Sequence, residues 1–151
     1  GIHPIATGSI AYNKFLPKLI RGFFSGWSFY SPLEVGPRKE WETVWEETYR
    51  DFVEDDGVLR AFTICPGFDD RHLTSEERKG KRRRHIPRNG LKIYERMQKA
   101  ALSLKPEPHY LLITSFNEFH ENTHIEPSRR FGDAYLRSTR AFSKKLRAHG
   151  S

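Results

Sequence analysis

A chain of 151 residues, 36% hydrophobic and 13% aromatic, is expected to form one compact soluble domain rather than a disordered tail or two domains. No stretch approaches the roughly 20 consecutive apolar residues of a membrane span, and no charged-then-apolar signal segment opens the chain. The single cysteine, Cys65, excludes a disulfide framework and a multi-cysteine zinc cluster, and the net charge of +7 calls for a location before it is assigned a partner.

In chain order, the aromatic run Ile20 to Tyr30, punctuated by glycine and closed by Ser31-Pro32, predicts a buried strand. From Arg38 to Glu54, Trp41, Val44, Trp45, Thr48 and Phe52 recur at three- and four-residue steps and predict a helix. Its other face belongs to an acidic stretch, Glu40, Glu42, Glu46, Glu47, Asp51, Glu54, Asp55 and Asp56, which would repel a phosphate backbone. Asp56-Gly57 breaks the helix, and Val58 to Cys65 reads as a second strand stopped by Pro66-Gly67.

Residues 68–87 form a long basic loop without hydrophobic period, a length that in compact domains usually accompanies function. Arg78, Lys79, Lys81, Arg82, Arg83, Arg84 and Arg88 place seven positive charges in eleven residues; the remaining 19 basic side chains balance the 19 acidic ones. The charge excess is therefore one cluster, a solvated loop or a contact for RNA or another protein, and specific nucleic-acid binding is disfavoured for the chain as a whole. Helical spacing resumes with Leu91, Tyr94, Met97, Ala101 and Leu104 and stops at Lys105-Pro106. A third strand, Tyr110 to Ser115, runs into Phe116 and beyond, and a last helix carries Tyr135, Thr139, Phe142 and Leu146 on one face.

Alternating strands and helices predict an α/β fold of parallel strands with crossover helices, either an open sheet or part of a barrel, since a complete (β/α)8 barrel needs about 250 residues. In both cases chemistry is expected beyond the carboxyl ends of the strands. There Ser115 to Pro127 gathers Glu118, Glu121, Glu126, His120, His124, Asn117 and Asn122. Glu118 and Glu121 point into one cleft if the chain turns helically, so that one carboxyl acts as acid and the other as base across a glycosidic bond. Phe116 or Phe119 would supply the apolar surroundings that keep the acid protonated. Three other readings stay open: a capped acid-rich loop, a metal site from His120, His124, Glu121 and Glu126 that lacks the His-Glu-x-x-His pattern, and a nucleophilic Cys65.

The string from Ile113 to Pro127 resembles the signature of glycoside hydrolase family 99, the endo-α-mannosidases and endo-α-mannanases, and of related polysaccharide-locus proteins. Cys65 to Asp70 is similar to that family's P-G-Y-x-D segment, Arg88 to Leu102 to its next helix, and Gly22 to Tyr30 to its aromatic strand. The resemblance implies the C-terminal half of a (β/α)8 TIM-type barrel and a retaining endo-glycosidase that cleaves internal α-mannosidic links through a 1,2-anhydro sugar. It places the catalytic base at Glu118, the general acid at Glu121, and substrate contacts at Asn117, His120, Tyr30, Asp69 and Asp70. It requires neither metal nor cofactor.

Phe24-Ser25-Gly26 stands where the family has F-D-G, Phe119 where it has tryptophan, Asn122 where it has glycine, and Arg82 to Arg84 where it has a tryptophan-bearing segment. Gly1 is not a methionine and the last three residues look like a trimmed end, so a longer natural protein is expected. A half barrel exposes two sheet edges. The expected partners are thus an oligosaccharide or polysaccharide substrate and a missing N-terminal half or second chain that completes the barrel. The rival reading is a non-catalytic carbohydrate-binding or assembly subunit.

Overall fold

Parallel pairing in chain order is the main feature of the computed structural model, which describes residues 5–8, 26–29, 59–77, 85–104 and 108–149. Among these residues, strands β1 (Ile5–Gly8), β2 (Gly26–Phe29), β3 (Leu59–Ile64) and β6 (Tyr110–Ile113) form one sheet in the order β1-β2-β3-β6. All three pairings are parallel, with Ile5 opposite Gly26, Gly26 opposite Leu59, and Ala61 to Ile64 opposite Tyr110 to Ile113. Each strand neighbours the next large strand in sequence, with no reversal of order. A doubly wound sheet reverses at its switch point, whereas a singly wound barrel does not, so the order selects the barrel type of winding.

The described residues divide into two compact units. The first holds the four-stranded sheet and the last residues of helix α1 (Lys92–Ser103). Ala61, Phe62, Thr63 and Ile64 are buried without interruption, as expected of a parallel strand covered on both faces. On β6 burial alternates instead, and Tyr110 and Leu112 are exposed. The predicted strand to Ser115 ends at Ile113, and Thr114 and Ser115 belong to the loop that follows.

The second unit contains β4 (Phe68–Asp69), β5 (His85–Ile86), most of helix α1 (Lys92–Ser103), the 114–133 loop and helix α2 (Ala134–His149). On α1, Ile93, Tyr94 and Met97 are buried while Glu95, Arg96 and Lys99 are exposed, the pattern that the three- and four-residue spacing requires. Its buried face meets α2. The Tyr94 and Tyr135 rings lie 5.6 Å apart, and two polar rungs cross the helices: Tyr94 Oη to Thr139 Oγ1 at 2.8 Å and Gln98 Nε2 to Ser138 Oγ at 3.2 Å. Each rung satisfies a polar group that burial would otherwise leave costly.

The long loop of residues 68–87 is anchored at its ends. Phe68 pairs with Ile86 and Asp69 with His85 in an antiparallel two-stranded ribbon. Next to the ribbon, Thr74 and Glu77 bond reciprocally, the Thr74 N–H to Glu77 Oε2 at 2.7 Å and the Glu77 N–H to Thr74 Oγ1 at 3.1 Å, as in a capping box. The Arg82 to Arg84 cluster, the predicted helix of residues 38–54 and Tyr30 lie outside the described residues.

Candidate active site

The chain leaving β6 doubles back on itself. The Ser115 N–H donates to Thr123 O at 3.0 Å, Ile125 N–H to Ser115 O at 3.0 Å, and Glu126 N–H to Phe116 O at 2.8 Å, which closes residues 117–122 into a tight loop. Both ends of that loop are tied at Glu118. Its N–H donates to Ser115 Oγ at 2.9 Å, its carbonyl accepts from Thr123 N–H at 3.2 Å, and the Ser115 and Thr123 hydroxyls bond each other at 2.8 Å. Thr123 is fully buried and Ser115 half-buried, so the bond that holds the Glu118 carbonyl is made to a residue shielded from competing water.

Glu121 is held from the other side. The Asp69 N–H, at the start of the segment that follows β3, donates to Glu121 O at 2.8 Å. Asn122 comes next with a φ of 53°, in the left-handed region where glycine and asparagine are the residues best tolerated. This accounts for asparagine at a position where the resembled family has glycine: the turn after Glu121 demands that conformation. The loop leaves Asn117 and His120 exposed and Glu118 and Glu121 half-buried, with Glu121 Oε2 shielded from solvent. Phe116 and Phe119 are exposed at 56% and 47%, an unusual presentation for large apolar rings beside two carboxyls.

Of the residues expected to touch substrate, Asn117 and His120 share the glutamate loop, and Asp69 is joined to it through its backbone. The Asp69 carboxylate itself is gripped by Arg71, Oδ1 to Nε at 2.8 Å and Oδ2 to Nη2 at 2.9 Å. That fork holds its pKa down to about 2, with His85 Nε2 a further 3.8 Å from Oδ2. Asp70 is buried at 4% exposure, and its carbonyl accepts the Leu73 N–H at 3.1 Å.

The Cys65 thiol is completely buried, bonds Gly67 O at 3.1 Å, and is pushed up to about 12 by that burial. A thiol in that state is neutral at physiological pH, which removes the nucleophile reading. The metal reading asks His120 and His124 to converge. His120 is exposed, whereas His124 is buried with its ring stacked on Phe119 at 4.1 Å between centroids, and among the described residues no group of three or more His, Cys, Asp or Glu is placed to hold a metal.

Arg88 corrects the charge map. By sequence it closes the basic cluster; in the structure it is buried at 4% exposure. Its guanidinium carbon lies 3.8 Å from the Tyr135 ring centroid and 4.3 Å from that of Phe131, Nε donates to Tyr135 Oη at 2.9 Å, and Nη2 donates to His124 O at 2.7 Å. Burial pulls its pKa below the ordinary value while the Tyr135 bond opposes the shift, and an arginine so placed stays charged at neutral pH. The sign available in the sequence was the apolar step Ile86-Pro87 that separates Arg88 from Arg84.

No protein-family model matches the chain, and no curated protein sequence matches it significantly. Solved structures do. A GH99 endo-α-mannosidase from Bacteroides thetaiotaomicron superposes with a TM-score of 0.70 at 23% sequence identity, covering 97% of this chain and 45% of that one. A structure of the GH99 endo-α-mannosidase from that organism in complex with bis-tris-propane gives 0.68 at 23% identity, covering 96% and 46%. The chain thus spans less than half the length of these proteins, and its fold is that of part of a GH99-type (β/α) barrel.

Proposed function

We propose that this chain carries the paired carboxylates of a retaining endo-α-mannosidase-type glycoside hydrolase. The observation that carries this reading is the loop after β6. It presents Glu118 and Glu121 three residues apart, each with its backbone pinned, on a fold shared with a solved endo-α-mannosidase.

In the proposed reaction the Glu118 carboxylate takes the proton of the sugar 2-hydroxyl as that oxygen attacks C1. Glu121 protonates the departing glycosidic oxygen, the C1–O bond breaks, and a 1,2-anhydro sugar forms. Water then attacks C1 and gives a proton to Glu121, while Glu118 returns its proton to O2, so both carboxyls end as they began. Two inversions at C1 yield net retention. The shielded Oε2 of Glu121 supports this division of labour, because an acid and a base of one chemical type must be told apart by their surroundings. Asn117 and His120 are proposed as sugar contacts, with Tyr30 and the Asp69–Asp70 segment, whose backbone orders the loop.

Completion of the barrel belongs to the same reading. The chain covers 45% of the mannosidase, and β6, last strand of the described sheet, exposes Tyr110 and Leu112. A further half, in the same or a second polypeptide, would cover them.

The test is hydrolysis of α-linked manno-oligosaccharides by the full-length protein with retention at the new reducing end. Glu121→Gln is expected to lower turnover about 10²–10⁴-fold with saccharide binding retained. Unchanged turnover in that variant removes Glu121 from the mechanism. Binding without hydrolysis by the unaltered protein would favour a non-catalytic carbohydrate-binding subunit.

A further inference from the structure

We infer that Arg88 is the positioning residue of the glutamate loop: a buried guanidinium that ties residues 119–124 to α2 and thereby sets the placement of Glu118 and Glu121, an inference that rests on the proposed roles of those two residues.

Three sets of contacts lead to it. On one side the guanidinium is caged by the Phe131 and Tyr135 rings, themselves edge to face at 5.4 Å, and Tyr135 Oη both accepts from Nε and donates to Gly90 O. On the other side, Nη2 holds His124 O at 2.7 Å, and Nη1 lies 3.5 Å from Asn122 O and Oδ1 and from the His124 ring. The held residues then act on the loop. Asn122 directly follows Glu121, and the His124 ring is stacked under Phe119, the residue after Glu118.

A buried cation is expensive unless its donors are matched, so the arrangement has a strong preference for one geometry. Only a planar fork reaches an aromatic cage and two chain segments at once; a lysine keeps the charge and loses the fork. Helix α2 is held independently of Arg88 by its own backbone ladder and by the Tyr94–Thr139 and Gln98–Ser138 bonds to α1, which is why a displacement at Arg88 would pass to the loop rather than to the helix. Misplacement of reacting groups by about 1 Å is worth on the order of 10²-fold in rate.

The experiment compares Arg88→Met, Arg88→Lys and the unaltered full-length protein by amide hydrogen exchange and by hydrolysis kinetics. For Arg88→Met the expected result is faster exchange confined to residues 115–126, with α1 and α2 still protected, and kcat lowered about 10²-fold with KM little changed. Arg88→Lys should recover part of both. Unchanged exchange in the loop, or equal loosening of loop and helices, overturns the assignment. If Arg88→Met does not fold, Tyr135→Phe reads the same contrast, since it keeps the ring under the guanidinium and removes the oxygen that accepts from Nε. Should the unaltered protein hydrolyse nothing, the proposed function falls, while the exchange contrast still decides the role of Arg88.

Discussion

Gly67 lies where the chain leaving β3 passes the residues after β5, and replacing it by alanine is the most sharply defined perturbation this fold offers. A Cβ built there would sit 2.6 Å from Arg88 Cγ, 2.9 Å from Ile86 O and 3.2 Å from Arg88 Cα. Two of those three atoms are backbone and cannot rotate aside. Relief therefore requires the 86–88 segment to move, and with it the arginine that grips Asn122 and His124. Overpacking of this kind costs about 1–3 kcal/mol, and Gly67 also has a φ of 153°, where an L side chain is strained whatever the space. The two effects together argue for ~3 kcal/mol, a fall in Tm of roughly 6–12 °C at this chain length. Gly132→Ala serves as control: its φ is 54° but nothing lies within 4 Å of the added carbon, so only conformational strain of about 1 kcal/mol is expected. Thermal and urea denaturation followed by circular dichroism measures both. A Gly67→Ala variant within about 0.5 kcal/mol of the parent, or no worse than Gly132→Ala, would refute the close-approach argument.

Two further outcomes follow from the same loop. At Asn122, whose φ is 53°, Asn122→Gly should keep the loop geometry at little cost, since it loses only the 3.5 Å contact of Oδ1 with Arg88 while the carbonyl keeps its own. Asn122→Val should instead cost about 1–2 kcal/mol and lower turnover, because a β-branched side chain does not fit that backbone; denaturant midpoints and kinetics check the pair. His124 is held down to about 4, first by burial and second by the positive Arg88 beside it, against an ordinary value of 6.5. The unfolded chain therefore takes up a proton before the folded one. This contribution is fully present above pH ~6.5 and is lost as pH falls toward 4, in proportion to the extra proton bound by the unfolded chain; a ring-proton titration by NMR with a midpoint near 6.5 would contradict it.

Much of the fold was legible because apolar spacing is dictated by the element that must bury it. The run from Val58 to Cys65 reads as a strand since a strand covered on both faces needs no polar alternation, and β3 is buried throughout Ala61 to Ile64. Tyr94 and Met97 in α1, and Tyr135 and Phe142 in α2, sit where helical spacing puts them. Strand β1 was not legible: Ile-Ala-Thr-Gly holds too few apolar side chains for a period, and only its pairing with β2 makes it a strand. The β4–β5 ribbon failed for the same reason, each strand being two residues long.

At the site, the spacing of Glu118 and Glu121 was visible, but what holds them was not. The Asp69 N–H to Glu121 O bond uses backbone groups that every residue owns, so no letter in the sequence announces it. Arg88 was read as surface charge because residue type alone does not show burial; its cage comes from Phe131 and Tyr135, more than 40 positions away.

The division of roles between Glu118 and Glu121 is tested most directly by leaving-group dependence in the full-length protein. The first step for an α-mannoside whose leaving group is acidic enough to depart unprotonated, read as kcat/KM or as the burst of released leaving group, should be nearly normal in Glu121→Gln and strongly reduced in Glu118→Gln, while an ordinary sugar leaving group should fail with both. Equal loss in the two variants whatever the leaving group, or rescue of Glu118→Gln instead, would contradict the assignment.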